Sequence, residues 1–136
     1  MRRLDPSTVP LEMLFAALAD RTRLRLLNLM RGREVCVCYF VEILGESQPK
    51  ISRHLAYLRR AGIVRARREG KWMHYRIEHH ANTEAEAILE ATMQSLKEDA
   101  AMREERQRLA KACCEPEQFV TLTGAPVPVR TGHKNG

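Results

Sequence analysis

Apolar residues recur at helical spacing in the first part of the chain. One stripe, at spacings i, i+3, i+4 and i+7, consists of Leu11, Leu14, Phe15 and Leu18. Asp20 is a good N-cap for a second helix, and the sequence Arg31-Gly32-Arg33 would end that helix. The pattern therefore predicts two consecutive short helices.

A further amphipathic helix is predicted from Gln48 to Ala61, with Ser47 as its N-cap and Gly62 after its end. Its apolar stripe consists of Ile51, Leu55 and Leu58. At 100° per residue, the opposite side carries Arg53 and Arg60, and Lys50 and Ser52 lie on its flanks. A short helix, a tight turn and a second helix with a cationic outer face form the helix-turn-helix arrangement.

Two strand-like segments follow, at residues 64–68 and 71–77, and Glu69-Gly70 can form the turn between them. Cations are dense in this hairpin: Arg65, Arg67, Arg68 and Lys71. The predicted fold class is mainly α with a small β-hairpin, that is, a winged helix-turn-helix.

Nothing breaks a helix between Thr83 and Ala112, which predicts one helix of about 30 residues spanning about 45 Å. Its apolar seam consists of Leu89, Met93, Leu96 and Ala100. Because so long a helix exceeds what a small core covers, we expect the seam to pair with a second copy of the chain. The expectation is a homodimer held by its terminal helices.

After Cys114 the sequence is rich in proline and glycine. The predicted organisation is a DNA-binding and dimerisation domain over residues 1–112 and a flexible tail over residues 113–136 that begins with a cysteine pair.

The chain has 136 residues, with 23 Lys plus Arg against 17 Asp plus Glu and a formal charge of +6. This excess suits a polyanionic partner without establishing one. The sequence shows neither a signal peptide nor an apolar run long enough for a membrane helix, so a cytoplasmic protein is expected. In that reducing compartment the four cysteines are interpreted as thiols or ligands rather than disulfides.

Three segments resemble the ArsR/SmtB family of metal-responsive repressors, over about residues 10 to 100. They are residues 18–27 (LADRTRLRLL), residues 47–64 with SQPKISRHL and AGIV, and residues 34–38 (EVCVC). The last is similar to the arsenic-sensor version of the family's metal box, which usually has Leu and Asp where this chain has Val35 and Tyr39.

The resemblance implies a homodimer that represses an operator until an inducer binds. It implies that Gln48, Ser52, Arg53 and His54 meet double-stranded DNA and that residues 65–76 form the wing. With the neighbouring polar and cationic residues, the predicted DNA-binding set is Ser47, Gln48, Lys50, Ser52, Arg53, His54, Arg67, Arg68 and Lys71. A packing role stays open for His54, which lies about 60° from the apolar stripe, and Trp72 is expected to brace the hairpin.

Cys36 and Cys38 stand where a helix is predicted to begin, a position that favours the thiolate. In a regular helix their side chains would point about 200° apart, whereas an extended segment puts them on one side. Binding of one ion by both sulfurs is therefore expected to unwind the first helical turn and to reorient the DNA-reading helix beside it.

The predicted inducer is trivalent arsenic or antimony, because soft thiolates select thiophilic ions. One familiar version of the family's box has a third cysteine where this chain has Val41. The remaining candidates for a third sulfur are Cys113 and Cys114, from either subunit. Alternatively, this pair forms a separate site for an organic arsenical or has no ligand role.

Other functions stay open at this stage. A cadmium, lead or zinc sensor is a close rival, although the paired C-x-x-C spacing of structural zinc sites is absent. A thiol-redox-responsive repressor would use the same cysteines. A thiol oxidoreductase lacks C-x-x-C support, so no enzyme activity is expected, and a plain interaction module would not need the cationic hairpin.

Overall fold

A computed structural model of the chain describes residues 9–81, 83–114 and 126–131. Within these residues the chain forms, in order, α1 (Leu11–Leu18), α2 (Arg21–Leu29), β1 (Arg33–Cys36), α3 (Val37–Leu44), α4 (Gln48–Arg60), β2 (Val64–Glu69), β3 (Trp72–Ile77), α5 (Glu84–Lys97), α6 (Ala100–Cys114) and β4 (Val129–Arg130). The α3–α4 pair followed by the β2–β3 hairpin is the predicted winged helix-turn-helix. The fold class is confirmed.

Three helices begin at the N-cap residues that the sequence predicts. The side chains of Asp20, Ser47 and Thr83 each accept a hydrogen bond from the backbone N–H three residues later, at 3.0, 3.3 and 3.1 Å. Such caps satisfy N–H groups that have no partner inside the helix.

The core lies where α2, α3 and α4 meet the sheet. Its largest fully buried side chains include Leu26, Leu27, Tyr39, Phe40, Ile51, Leu55 and Leu58. The predicted stripe of α4 is thus the face that packs inward, and the opposite face of α4 is left for solvent or a partner.

The sheet has the strand order β2-β3-β1-β4, which is larger than the predicted hairpin. β1 pairs antiparallel with β3, with Val35 opposite Tyr75 and Cys36 opposite His74. β4 pairs with β1, so residues 129–130 of the predicted flexible tail form a sheet edge. Residues 115–125 and 132–136 of that tail lie outside the described residues.

The hairpin turn differs by one residue from the prediction. Glu69 pairs with Trp72, so the two-residue loop is Gly70-Lys71 rather than Glu69-Gly70. Gly70 has φ +59, and a glycine at the first loop position takes this left-handed conformation without strain.

The prediction of one helix from Thr83 to Ala112 is wrong, because the chain breaks between α5 and α6. Asp99 causes the break: its Oδ1 accepts from the Met102 N–H at 3.1 Å, and the Arg21 guanidinium donates to its carboxylate at 3.0 and 3.3 Å. These bonds start a new helix that folds back on α2. Neither glycine nor proline marks the break in the sequence.

The expected dimer seam is used inside the chain. Leu89, Met93 and Leu96 are buried within one copy, where α5 packs on α2 and α6, whereas Ala100 is exposed. The seam is therefore covered within one copy of the chain, and its pairing with a second copy stays a prediction. Exposed apolar side chains lie instead on α1, where Leu11 is 50% and Phe15 52% exposed.

In the part of the chain that the structure describes, no helix is both long enough and apolar enough to cross a membrane.

Two polar contacts hold α6 against α2. The Arg25 guanidinium meets the Glu105 carboxylate with contacts of 2.5 to 3.1 Å, and Asn28 Nδ2 donates to the Met102 carbonyl at 2.8 Å. Arg25 Nη2 also donates to the Leu44 carbonyl at the end of α3, at 3.2 Å. One guanidinium thus joins three helices.

We expect Glu105→Gln to lower the free energy of unfolding by about 2 kcal/mol, because it leaves a partly buried guanidinium without its counter-charge. Glu104→Gln removes the same charge from an exposed neighbour on α6 and serves as the control. Urea denaturation measures both. Equal stabilities of the two variants would contradict the role given to the Arg25–Glu105 pair.

Candidate nucleic-acid interface and thiol site

The exposed face of α4 carries the residues predicted to read DNA. Ser47, Gln48 and Arg53 are exposed, and Ser52 is partly buried beside them. Lys50 is paired with Glu46 at 3.1 Å. Since amide and hydroxyl groups can pair with base edges and guanidinium with phosphate, this face presents both kinds of contact.

His54 lies apart from that face. Its Nδ1 is 3.3 Å from Arg23 Nη1 and 3.8 Å from Asp20 Oδ1. These contacts hold α4 against the start of α2. The structure thus gives His54 a packing partner, the alternative that the sequence leaves open.

Some cationic residues of the hairpin form ion pairs with carboxylates and others do not. Arg67 donates to Glu34 Oε1 at 2.6 and 3.0 Å, and this guanidinium holds the pKa of Glu34 below its usual value. Arg68 is exposed, and Lys71 Nζ lies 5.0 Å from the centre of the Trp72 ring. No ion pair is found for Arg68 or Lys71 among the described residues. These two cations remain available to phosphates.

Trp72 packs against the core, and the Lys71 ammonium group lies over its ring. It therefore braces the hairpin, as expected from the sequence.

Cys36 and Cys38 meet at the junction of β1 and α3. Cys36 ends the strand with φ −72 and ψ 144, as the N-cap of α3, and Cys38 lies in the first helical turn. Cys38 Sγ donates to Cys36 Sγ at 3.2 Å. The expected unwinding is not needed to bring the sulfurs together, because the extended backbone at Cys36 already turns its side chain toward Cys38.

The two thiols differ in acidity. The hydrogen bond from Cys38 lowers the pKa of Cys36 to about 6, with help from the backbone N–H groups that begin α3 and from the neighbouring charge of His74. The same hydrogen bond raises the pKa of Cys38, whose proton it holds. The pair thus contains one thiolate and one thiol at neutral pH.

His74 is a site residue that the sequence reasoning missed. It lies opposite Cys36 in the β1–β3 ladder, is buried, and has Nε2 3.1 Å from Glu69 Oε1. The alternation of Met73, Tyr75 and Ile77 shows only that His74 faces the other side of its strand. Its neighbour there depends on β1, which the sequence does not predict as a strand.

Cys113 lies in the last turn of α6. Its Sγ accepts from Arg33 Nη1 at 3.2 Å, next to β1. The pKa of Tyr39, a buried residue of α3, is raised to about 12 by burial and then by the charges of Cys113, Cys38 and Cys36. The Tyr39 hydroxyl is buried without a hydrogen-bond partner in the described structure.

The three sulfurs do not form a finished metal site. Within the described residues, no group of three or more Cys, His, Asp or Glu side chains is arranged to hold a metal ion. The backbone of Cys114 ends α6, but its side chain lies outside the described part.

A cavity of about 530 Å³ lies between the two cysteines and the face of α4 that is predicted to contact DNA. Cys36 and Cys38 line one side, Gln48 and Ser52 of α4 line another, and the rest comes from α3 and the hairpin: Val37, Val41, Lys71, Trp72, Met73 and Tyr75. A ligand held by the sulfurs would thus contact the wall that includes the start of α4.

Comparisons with known proteins point in one direction. The model of the family described as "Bacterial regulatory protein, arsR family" matches residues 20–66. The arsenical resistance operon repressor of Escherichia coli (strain K12) is 47% identical over 78 residues, which cover 57% of this chain and 67% of that protein.

Solved structures agree. The AntR antimony-specific transcriptional repressor superposes on this chain with a TM-score of 0.51 and is 30% identical to it. The superposed region covers 72% of this chain and 96% of the AntR chain. The homodimeric winged helix-turn-helix DNA-binding domain of Mb0332 from Mycobacterium bovis gives a TM-score of 0.52 at 29% identity, covering 74% of this chain and 92% of its own.

We expect Cys38→Ala to raise the pKa of Cys36, because the variant loses the sulfur hydrogen bond that stabilises the thiolate. Thiolate absorbance near 240 nm, followed between about pH 4 and pH 9, measures this pKa. The wild-type step near pH 6 should be absent in Cys36→Ser, which identifies its source. A step that persists unchanged in Cys38→Ala would contradict the assignment.

Proposed function

This chain belongs to the arsR family of bacterial regulatory proteins, and we propose that it is an arsenic- or antimony-responsive repressor that binds operator DNA as a homodimer. The observation that carries the proposal is the shared cavity, which Cys36 and Cys38 line together with Gln48 and Ser52. Inducer site and DNA-reading helix are thereby neighbours. The names of the similar repressors support the choice of arsenic or antimony.

DNA contact is assigned to α4 and the hairpin. Gln48 and Ser52 read base edges in the major groove, and Arg53, Arg68 and Lys71 neutralise phosphates. Ser47 and Lys50 contribute from the N-terminal end of the helix. Arg67 acts indirectly, because its pairing with Glu34 ties the hairpin to β1.

The homodimer is assigned to α1 rather than to the α5 seam. Leu11 and Phe15 lie one helical turn apart, and about half of each side chain is exposed. A second copy of the same helix would bury them, since contacts between identical patches give a two-fold dimer. The homodimeric domain of Mb0332 supports a dimer of this fold.

Trivalent arsenic or antimony is assigned to Cys36 and Cys38, with Cys113 as the third sulfur. The thiolate at Cys36 displaces one hydroxide from the trivalent ion, and the proton on Cys38 leaves with a second hydroxide as water when the second sulfur binds. Cys113 belongs to the same subunit and lies beside Tyr39 and Arg33. Cys114 is not needed in this arrangement.

Release of DNA follows from the packing around α3. This helix begins at the thiols and packs on both α4 and α6. Closing Cys113 onto the pair requires the end of α6 and the first turn of α3 to approach, because no three-ligand site exists beforehand in the described residues. Since packed helices shift as units, the displacement passes to α4 and moves its DNA-reading face.

We expect Arg68→Gln and Lys71→Gln each to weaken binding to any DNA and to lower the salt dependence of log K by about 1. Gln48→Ala should instead reduce operator affinity by about 1–3 kcal/mol while leaving non-specific binding nearly unchanged. Fluorescence anisotropy at several salt concentrations measures both effects. Arg108→Gln, on the exposed side of α6, is the control for loss of charge alone.

We expect arsenite in a reducing buffer to release the chain from the DNA upstream of its own gene. Cys36→Ser/Cys38→Ser should bind that DNA and stay bound. Cys113→Ser should need at least about tenfold more arsenite, because one sulfur bond to the inducer is lost. Cys114→Ser is the matched control and should respond as the wild type does.

Three outcomes would contradict this assignment. Release by peroxide and not by arsenite would favour redox sensing, for which the 3.2 Å approach of the two sulfurs is also suited. Release by cadmium, lead or zinc alone would keep the regulator and change the inducer. Equal responses of Cys113→Ser and Cys114→Ser would remove Cys113 from the site.

A further inference from the structure

Three arginines lie along the contact of α6 with the end of α2 and the start of β1. Arg31 Nη2 donates to Asn28 Oδ1 at 2.8 Å, and Asn28 in turn donates to the Met102 carbonyl of α6. Arg106 lies one helical turn after Met102, on the same side of α6. Cys113 lies about two helical turns after Arg106 on α6, and the Arg33 guanidinium contacts its sulfur at 3.2 Å.

Two donors in this arginine cluster, defined as Arg31, Arg33 and Arg106, are buried without an acceptor. They are Arg31 Nε and Arg106 Nη1. The Arg31 side chain is deeply buried, with 6% of the residue exposed. A buried N–H that lacks a partner is costly, and native structures rarely keep one without a reason.

The cluster also has no ion pair with a carboxylate in the described part of the chain. Four arginines elsewhere pair with carboxylates: Arg21 with Asp99, Arg25 with Glu105, Arg65 with Glu78 and Arg67 with Glu34. No such pair is found for the cluster. Burial, followed by repulsion from Arg106, lowers the pKa of Arg31 to about 10, and burial and Arg33 lower that of Arg106.

We propose that the arginine cluster is a binding site for a small inorganic oxyanion of the phosphate or sulfate type. Such an ion has several acceptor oxygens, and guanidinium groups bind these through paired N–H donors. It would satisfy the two buried donors and cancel the repulsion among like charges. A bound anion would join the end of α2, the start of β1 and α6.

The experiment is thermal unfolding of the full chain, titrated with inorganic phosphate against potassium chloride of equal ionic strength. At a phosphate concentration about ten times the Kd, the midpoint should rise by roughly 4 °C. Arg106→Gln should abolish the rise. Arg31→Gln is measured beside it, so that the result does not depend on the folding of one variant.

Two control variants test whether phosphate binds at the arginine cluster or at other cationic residues. Arg108→Gln removes an exposed arginine from the same helix and should keep the phosphate response. Arg68→Gln removes a cation of the proposed DNA-binding surface and should also keep it. If Arg68→Gln loses the response, or if Arg106→Gln and Arg31→Gln both keep it, phosphate binds elsewhere and the proposal fails.

A third control tests whether the anionic oxygens come from the chain itself. Glu115 and Glu117 follow α6 in the sequence. A phosphate response seen only in Glu115→Gln/Glu117→Gln would assign the cluster to these carboxylates and overturn a free-anion site. The absence of any response, in the wild type and in this variant alike, would also overturn it. None of these outcomes depends on whether arsenic is the inducer.

Discussion

The pairing of β1 with β3 is the constraint on which the thiol site depends. It keeps the backbone extended as far as Cys36, and α3 begins at the next residue. In a continuous helix, two residues at i and i+2 point about 200° apart. The change from strand to helix at Cys36 turns the two side chains to one side, so that the sulfurs lie 3.2 Å apart and share one proton.

The same junction determines what a change at the thiols can reach. α3 is short, and its buried side packs on α4 and on α6. Cys36 and Cys38 line the cavity between α3, α4 and the hairpin together with Gln48 and Ser52 at the start of α4, the helix proposed to contact DNA. Because packed interiors transmit displacement rather than absorb it, a movement of α3 is passed to its neighbours. The proposed coupling between the thiols and α4 therefore requires only that α3 move as a rigid body.

The cationic residues discussed here fall into three groups, which differ in burial and in whether they form ion pairs with carboxylates. Arginines that join secondary-structure elements, such as Arg25 and Arg67, are bound to carboxylates, and their role is to hold helices and strands together. On the face proposed for DNA, Arg68 and Lys71 have no ion pair in the described structure and are exposed to a partner. The arginine cluster belongs to neither group, since Arg31 is buried, Arg33 and Arg106 are partly buried, and none of the three has a carboxylate partner in the described residues. Net charge alone does not distinguish these three situations.

Sequence alone determined the elements whose cause is local. The N-caps at Asp20, Ser47 and Thr83 and the apolar stripe of α4 depend on neighbouring residues only, and the structure has them where they were predicted. The winged helix-turn-helix and the family resemblance follow from these same segments. Long-range contacts decided the rest. Asp99 breaks the last helix because Arg21 reaches it from α2, and the α5 seam is buried because α6 folds back. A strand pairing puts His74 opposite Cys36, and the packing of α6 brings Cys113 to Arg33 of β1, so that residues far apart in the sequence become neighbours.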